Sequence, residues 1–154
     1  MTSADTQAAA QEETRIASLL RVASRLIVVM EQEIATLRAM RPRDIAALQT
    51  EKSALAAAYE EKVRDLALDP SMLAKVSGAL QQEFADVATR FHEVLAENER
   101  ALRAARAAQE KVLRAIVATV EKDRIKHVGY GVGANGIGGQ RNSAPLSLTL
   151  DRRS

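Results

Sequence analysis

With 154 residues the chain has room for one domain, or for a pair of long helices plus a third. Aromatic residues make up only 3% and tryptophan is absent, which excludes a core built on large rings; the lack of cysteine excludes disulfides and thiolate metal sites. A formal net charge of +2, with acids and bases alternating along the chain, argues for solvated helix faces and against a phosphate-tracking surface.

Met1 to Glu13 is polar and small, without the apolar core of a signal peptide. Residues 1–10 read as a flexible leader in which Asp5 is a candidate helix cap. From about Gln11 the apolar positions Ile16, Leu20, Ala23, Ile27, Met30, Ile34 and Leu37 alternate steps of four and three, which is a heptad seam. Leu19 and Leu26 widen that seam beyond a two-stranded stripe. The run Leu26 to Met30 is too short to span a bilayer, so a cytosolic location is expected. Pro42 disfavours helical geometry at Arg41 and is itself comfortable in a first helical turn, so a first helix over about 11–40 gives way to a second over about 42–68.

Ile45, Leu48, Leu55, Tyr59, Val63 and Leu66 share one side of the second helix. Lys52 lies on the same stripe, where a lysine either snorkels to the surface, the commoner outcome, or meets an acidic neighbour. Asp69-Pro70-Ser71 reads as a stop and restart, with Asp69 capping and Pro70 in the first turn. Met72, Val76, Leu80, Phe84, Val87, Phe91, Val94, Asn98, Leu102, Ala105, Val112, Ile116 and Val120 then keep helical spacing, giving a third helix over about 70–127. Gly78 costs about 1 kcal/mol relative to alanine in a helix interior and marks a place for a kink or break. Unbroken, such a helix would reach roughly 84 Å, against roughly 45 and 40 Å for the first two. Residues 128–154 form a glycine-rich tail, expected to be disordered, in which Leu146, Leu148 and Leu150 alternate like a strand with nothing to pair with. The expected fold is all-α: an elongated antiparallel three-helix bundle or coiled coil with a very long third helix and a disordered tail.

Gly131-Val132-Gly133-Ala134-Asn135-Gly136 matches the dinucleotide pattern of spaced glycines, but a helix precedes it where a strand is needed and no helix follows. A flexible tail is the simpler account, and no cofactor is expected. His92 and His127 are the only histidines, and neither has a carboxylate three residues before it: Thr89 and Arg124 stand there. Phosphotransfer through His92 lacks the lysine and glycine that follow the histidine in helical phosphorelay modules, so His92 is read as a solvent-facing residue beside the seam. Carboxylate pairs such as Glu12-Glu13 and Glu60-Glu61 lie on solvated faces without a sheltered pocket, which argues against acid–base catalysis. Arg100, Arg103, Arg106 and Arg114 are interspersed with Glu97, Glu99 and Glu110 and lack an aromatic platform, which disfavours nucleic acid.

Asn98 falls where the seam calls for an apolar residue. Either it fixes register at some cost in stability, or the helix rotates it into solvent. Val112, Leu113, Ile116, Val117 and Val120 form a broad apolar stripe on the stretch that the shorter helices do not reach. Such a patch is normally covered, by a protein partner, by a second copy of the chain or by a folded-back tail, and amphipathic helices in grooves are a standard recognition mode.

The layout resembles the FlgN-like flagellar export chaperones over about residues 12–136. The matching features are Leu37-Arg38-Ala39-Met40 at the end of the first helix, Arg43-Asp44-Ile45-Ala46-Ala47-Leu48, then Lys52 and Leu55, a later Asn98 in a long helix and the segment Tyr130-Gly131. Pro42 in the turn and the long glycine-rich tail depart from the family pattern. The resemblance implies a cytosolic, non-enzymatic chaperone that holds a helical terminal segment of hook–filament junction proteins and delivers them to the type III export apparatus. It places partner binding toward the C-terminal helix, here Val112, Leu113, Ile116, Val117 and Val120, with Tyr130 beyond them. A structural coiled-coil protein that self-associates through the same seams is the alternative.

Overall fold

The computed structural model describes residues 2–131, with side chains described through residue 129. Four α-helices carry nearly all of these residues: α1 (Ser3–Arg38), α2 (Ile45–Leu68), α3 (Ser71–Lys75) and α4 (Gly78–Gly131), with a 3-10 turn at Pro42–Asp44. Among the described residues there is no strand.

The first helix begins at Ser3, not near Gln11. Its start is set by local chemistry: the Asp5 carboxylate accepts hydrogen bonds from the Thr2 amide at 3.2 Å and the Thr2 hydroxyl at 2.7 Å. Those bonds hold the Asp5 carboxyl below the ordinary aspartate range. The tie is therefore complete above the unfolded aspartate value and is lost as pH falls through the lowered one. Ala8-Ala9-Ala10 then carries the helix forward on propensity alone.

At its other end α1 stops in a Schellman motif. The Arg41 amide bonds to the Thr36 carbonyl and the Met40 amide to the Leu37 carbonyl, both at 3.1 Å. The motif requires a left-handed residue, and Met40 occupies that position at φ 55° with 79% of its surface exposed. Pro42 follows in the first position of the 3-10 turn, as its fixed φ allows.

The expected third helix is divided. α3 ends at Lys75, Val76 is extended (ψ 166°), and α4 restarts at Gly78. Ser77 makes the restart: its hydroxyl accepts from the Leu80 amide at 3.3 Å and its carbonyl from the Gln81 amide at 3.0 Å. The Gln81 side chain caps the Val76 carbonyl at 3.1 Å. Glycine itself is not required there, since a Cβ at Gly78 would meet nothing within 4 Å. α1 fastens the break, with Glu12 paired to Lys75 at 3.0 Å and Glu13 accepting from the Ser77 amide at 3.3 Å. At its far end α4 continues through Val128 and Gly129 to Gly131, beyond the expected stop near His127. The remainder of the proposed tail, with Leu146, Leu148 and Leu150, lies outside the described residues.

The chain divides into two units, residues 1–110 and residues 111–154, and α4 runs through the boundary. In the first unit α1 is the central rod. Ile16, Leu19, Leu20, Ala23, Leu26, Ile27, Val29, Met30 and Ile34 are all buried, so its apolar positions face two neighbours rather than one. Cross-helix pairs give the directions. Glu33 meets Gln49 and Lys52 while Leu66 packs on the cluster of Ile16 and Leu20, so α2 runs back along α1; Glu31 meets Arg90 and Arg38 meets Glu97, a constant offset that sets α4 parallel to α1. One cluster joins Ala23, Leu26, Ile27, Met30 and Ile34 to Phe91 and Val94, with Leu55 and Tyr59 of α2 against it. Tyr59 stacks on Phe91 with ring centroids 4.6 Å apart, and its burial pushes the phenol pKa up. A second cluster joins Ile16 and Leu20 to Met72 and Val76. α2 contributes no fully buried residue to either.

Candidate docking site

In the second unit α4 presents Val112, Leu113, Ile116, Val117 and Val120. Steps of one, three and four keep these five side chains on one broad face of the helix, and each is between 50% and 62% exposed. Ile125 and Val128 are exposed further along. No described residue from Lys111 to Gly129 is buried. Tyr130 stands in the last turn of α4, and its side chain lies outside the described residues. The helix here rests on its own backbone ladder and on local bonds such as that of the Thr119 hydroxyl to the Ala115 carbonyl at 2.9 Å. Charged residues surround the apolar face: Lys111, Arg114, Lys122, Arg124 and Lys126 against Glu121 and Asp123. An amphipathic helix with such a face is suited to lie along another helix, where burial of each valine or isoleucine contributes about 1.5–3 kcal/mol at most.

The first unit holds a different kind of polar chemistry at its centre. Asn98 is buried at 1% exposure, and Lys52 does not snorkel: it turns inward to meet Glu33, a residue the sequence pattern did not single out. The Glu33 carboxylate is 0% exposed, yet both its oxygens are satisfied. Oε2 accepts from Lys52 Nζ at 2.8 Å and from Asn98 Nδ2 at 3.0 Å, while Oε1 accepts from the Gln49 amide. Lys52 Nζ also donates to Asn98 Oδ1 at 2.6 Å. Three helices thus meet at one carboxylate, whose desolvation is offset because each oxygen finds at least one donor. The clue in the sequence was Glu33 standing in the heptad position that Leu19 and Leu26 fill in the two heptads of the seam before it.

The remaining candidates do not converge on a site. His92 is exposed and lies edge-on to Phe91 at 6.1 Å, and His127 is exposed in the second unit. Among the described residues no cluster of histidines and carboxylates could hold a metal ion. The spaced glycines after Gly131 lie outside the described residues. Arg103 pairs with Glu99 at 3.6 Å and Arg38 with Glu97 at 2.8 Å, so acidic residues are interleaved with the arginines in space as well as in sequence. Among the described residues no helix is long and apolar enough to cross a membrane. No family model, curated protein or solved structure matches the chain.

Proposed function

We infer that this chain is a protein-binding helical module, and that the face of Val112, Leu113, Ile116, Val117 and Val120 is where it takes an amphipathic helical segment of its partner. The observation that carries this reading is the exposure of all five on one face of a regular helix. A contiguous apolar patch on a charged helix is normally covered in use. Its aliphatic, ring-free make-up suits the ridges of a second helix better than a flat aromatic platform would suit a base.

The resemblance to FlgN-like chaperones supports the finer reading. On it, the partner is the helical terminal segment of a hook–filament junction protein, held in the cytosol until the type III export apparatus takes it. Tyr130, in the last turn of α4, is the further contact residue that this resemblance implies. Catalysis has no part in this function.

The test is co-purification with junction proteins, compared with the double variant Ile116→Asp, Val120→Asp. The expected result is a stoichiometric complex for the natural chain and loss of capture in the variant, with an unchanged melting temperature because neither side chain is buried. Capture that survives the double substitution removes this face from consideration. A homo-oligomer in light scattering, dissolved by the same two substitutions, would assign the stripe to a second copy of the chain and make the protein a scaffold.

A further inference from the structure

We propose that the layer formed by Glu33, Lys52 and Asn98 is the register key of the first unit: it selects one alignment of α1, α2 and α4 without adding to the stability of the folded state. The argument starts from how repetitive the seam is. In the heptad position of Glu33, α1 has Leu19 and Leu26, with Glu12 further toward its start; in that of Lys52, α2 has Ile45, Tyr59 and Leu66; in that of Asn98, α4 has Phe84, Phe91, Ala105 and Val112. Sliding α2 or α4 by one heptad, about 10.5 Å, sets apolar residues against apolar residues again. The hydrophobic layers alone therefore discriminate weakly between alignments.

The polar layer does discriminate. A slip of α4 in either direction replaces Asn98 by Phe91 or Ala105, and a slip of α2 replaces Lys52 by Ile45 or Tyr59. Each leaves the Glu33 carboxylate, 0% exposed, facing carbon in place of an ammonium or an amide. A buried carboxylate that exchanges a donor for carbon bears a desolvation cost that nothing offsets. In the native alignment the same group is satisfied by Lys52, Asn98 and Gln49 together. Buried ionic groups of this kind are often replaceable by apolar residues of similar volume without loss of stability, which separates a register function from a stabilising one. α2 adds to the need for a key, because it has no fully buried residue of its own to fix its position.

The test uses the full chain, which lacks cysteine, and two introduced cysteine pairs. Positions 31 and 90 face each other in the native alignment, where Glu31 and Arg90 are 2.5 Å apart; positions 31 and 97 would face each other after a one-heptad slip of α4. Each pair is placed in the natural background and in the triple variant Glu33→Leu, Lys52→Met, Asn98→Leu, and cross-linked with a short bis-maleimide. In the natural background only the 31–90 pair is expected to cross-link efficiently within one chain. In the triple variant the melting temperature should equal or exceed that of the natural chain. Slipped 31–97 product, or product between chains, should there rise at least ten-fold. A triple variant that cross-links only through 31–90 within one chain overturns the proposal. So does one that melts well below the natural chain or fails to fold, since the layer would then be a stabilising element.

Discussion

α4 carries the same apolar period through both units, and the two halves of that period have opposite fates. Phe91 and Val94 are sealed against α1, whereas Val112, Ile116 and Val120, in the same rhythm, face solvent. Nothing in residue type or helix geometry separates Val94 from Val117; both sit in regular helix on one continuous element. What separates them is burial: Val94 is sealed in the cluster with α1, and Val117 is half exposed. An apolar stripe on a helix therefore states a demand for cover, and only the tertiary structure says whether the chain meets that demand itself.

The largest effect that sharpens this contrast concerns the layer at the centre of the covered half. Lys52→Met should destabilise the protein by about 3–5 kcal/mol, because it removes one partner of a buried ion pair and leaves the Glu33 carboxylate with a charge it cannot hydrate. Urea unfolding followed by circular dichroism measures this, and a loss below about 1 kcal/mol would mean that water reaches Glu33 through the 20% exposed Lys52 site. The contrasting change in the second unit, Lys122→Met on an exposed turn, should stay within about 0.5 kcal/mol.

The pattern of α1 was legible from its sequence because burial on two sides leaves a dense and regular record: every seam position from Ile16 to Ile34 is buried, and Leu19 and Leu26 show the widening. The end of α1 was legible too, through Pro42. Its beginning was not, since Ala8-Ala9-Ala10 has no apolar period and the tie between Thr2 and Asp5 is a matter of side-chain geometry. The exposed stripe could be listed residue by residue, because periodicity names a face without knowing its neighbour. Glu33 was missed for the complementary reason: a charge in a seam is meaningful only once its partners on two other helices are known, and Lys52 and Asn98 are 19 and 65 residues away in sequence. Gly78 drew attention to a break whose agent is the adjacent Ser77, a cap that helical spacing alone does not reveal.

Two further changes bear on the covered half. Val94→Ala, at 0% exposure between α1 and α4, should cost about 2 kcal/mol through lost burial and the cavity left behind. A much smaller cost would show that the seam collapses readily around a missing side chain. Met40→Gly should act in the opposite direction, stabilising by about 1 kcal/mol, because methionine pays for a left-handed φ of 55° that glycine adopts freely. Met40 is largely exposed, so little packing is lost in exchange. Thermal unfolding should show a rise for this variant, and a fall would mean that the Schellman turn opens in solution.

The smallest expected effect on stability is the most telling for function. Val117→Ala, the counterpart of Val94→Ala on the same helix, should change stability by less than about 0.5 kcal/mol, because alanine keeps the helix and Val117 is half exposed among the described residues. The same substitution removes two methyl groups from the centre of the proposed docking face. Each buried methylene-sized group contributes about 0.8 kcal/mol, so partner affinity should fall roughly ten-fold while the melting temperature stays put. Paired measurements of unfolding and of partner binding on Val94→Ala and Val117→Ala would thus cross over: the first variant loses stability and keeps affinity once folded, the second keeps stability and loses affinity. If Val117→Ala instead destabilised the free chain as much as Val94→Ala does, the stripe would already be covered in solution, and the vacancy on which partner binding depends would be filled by the chain itself.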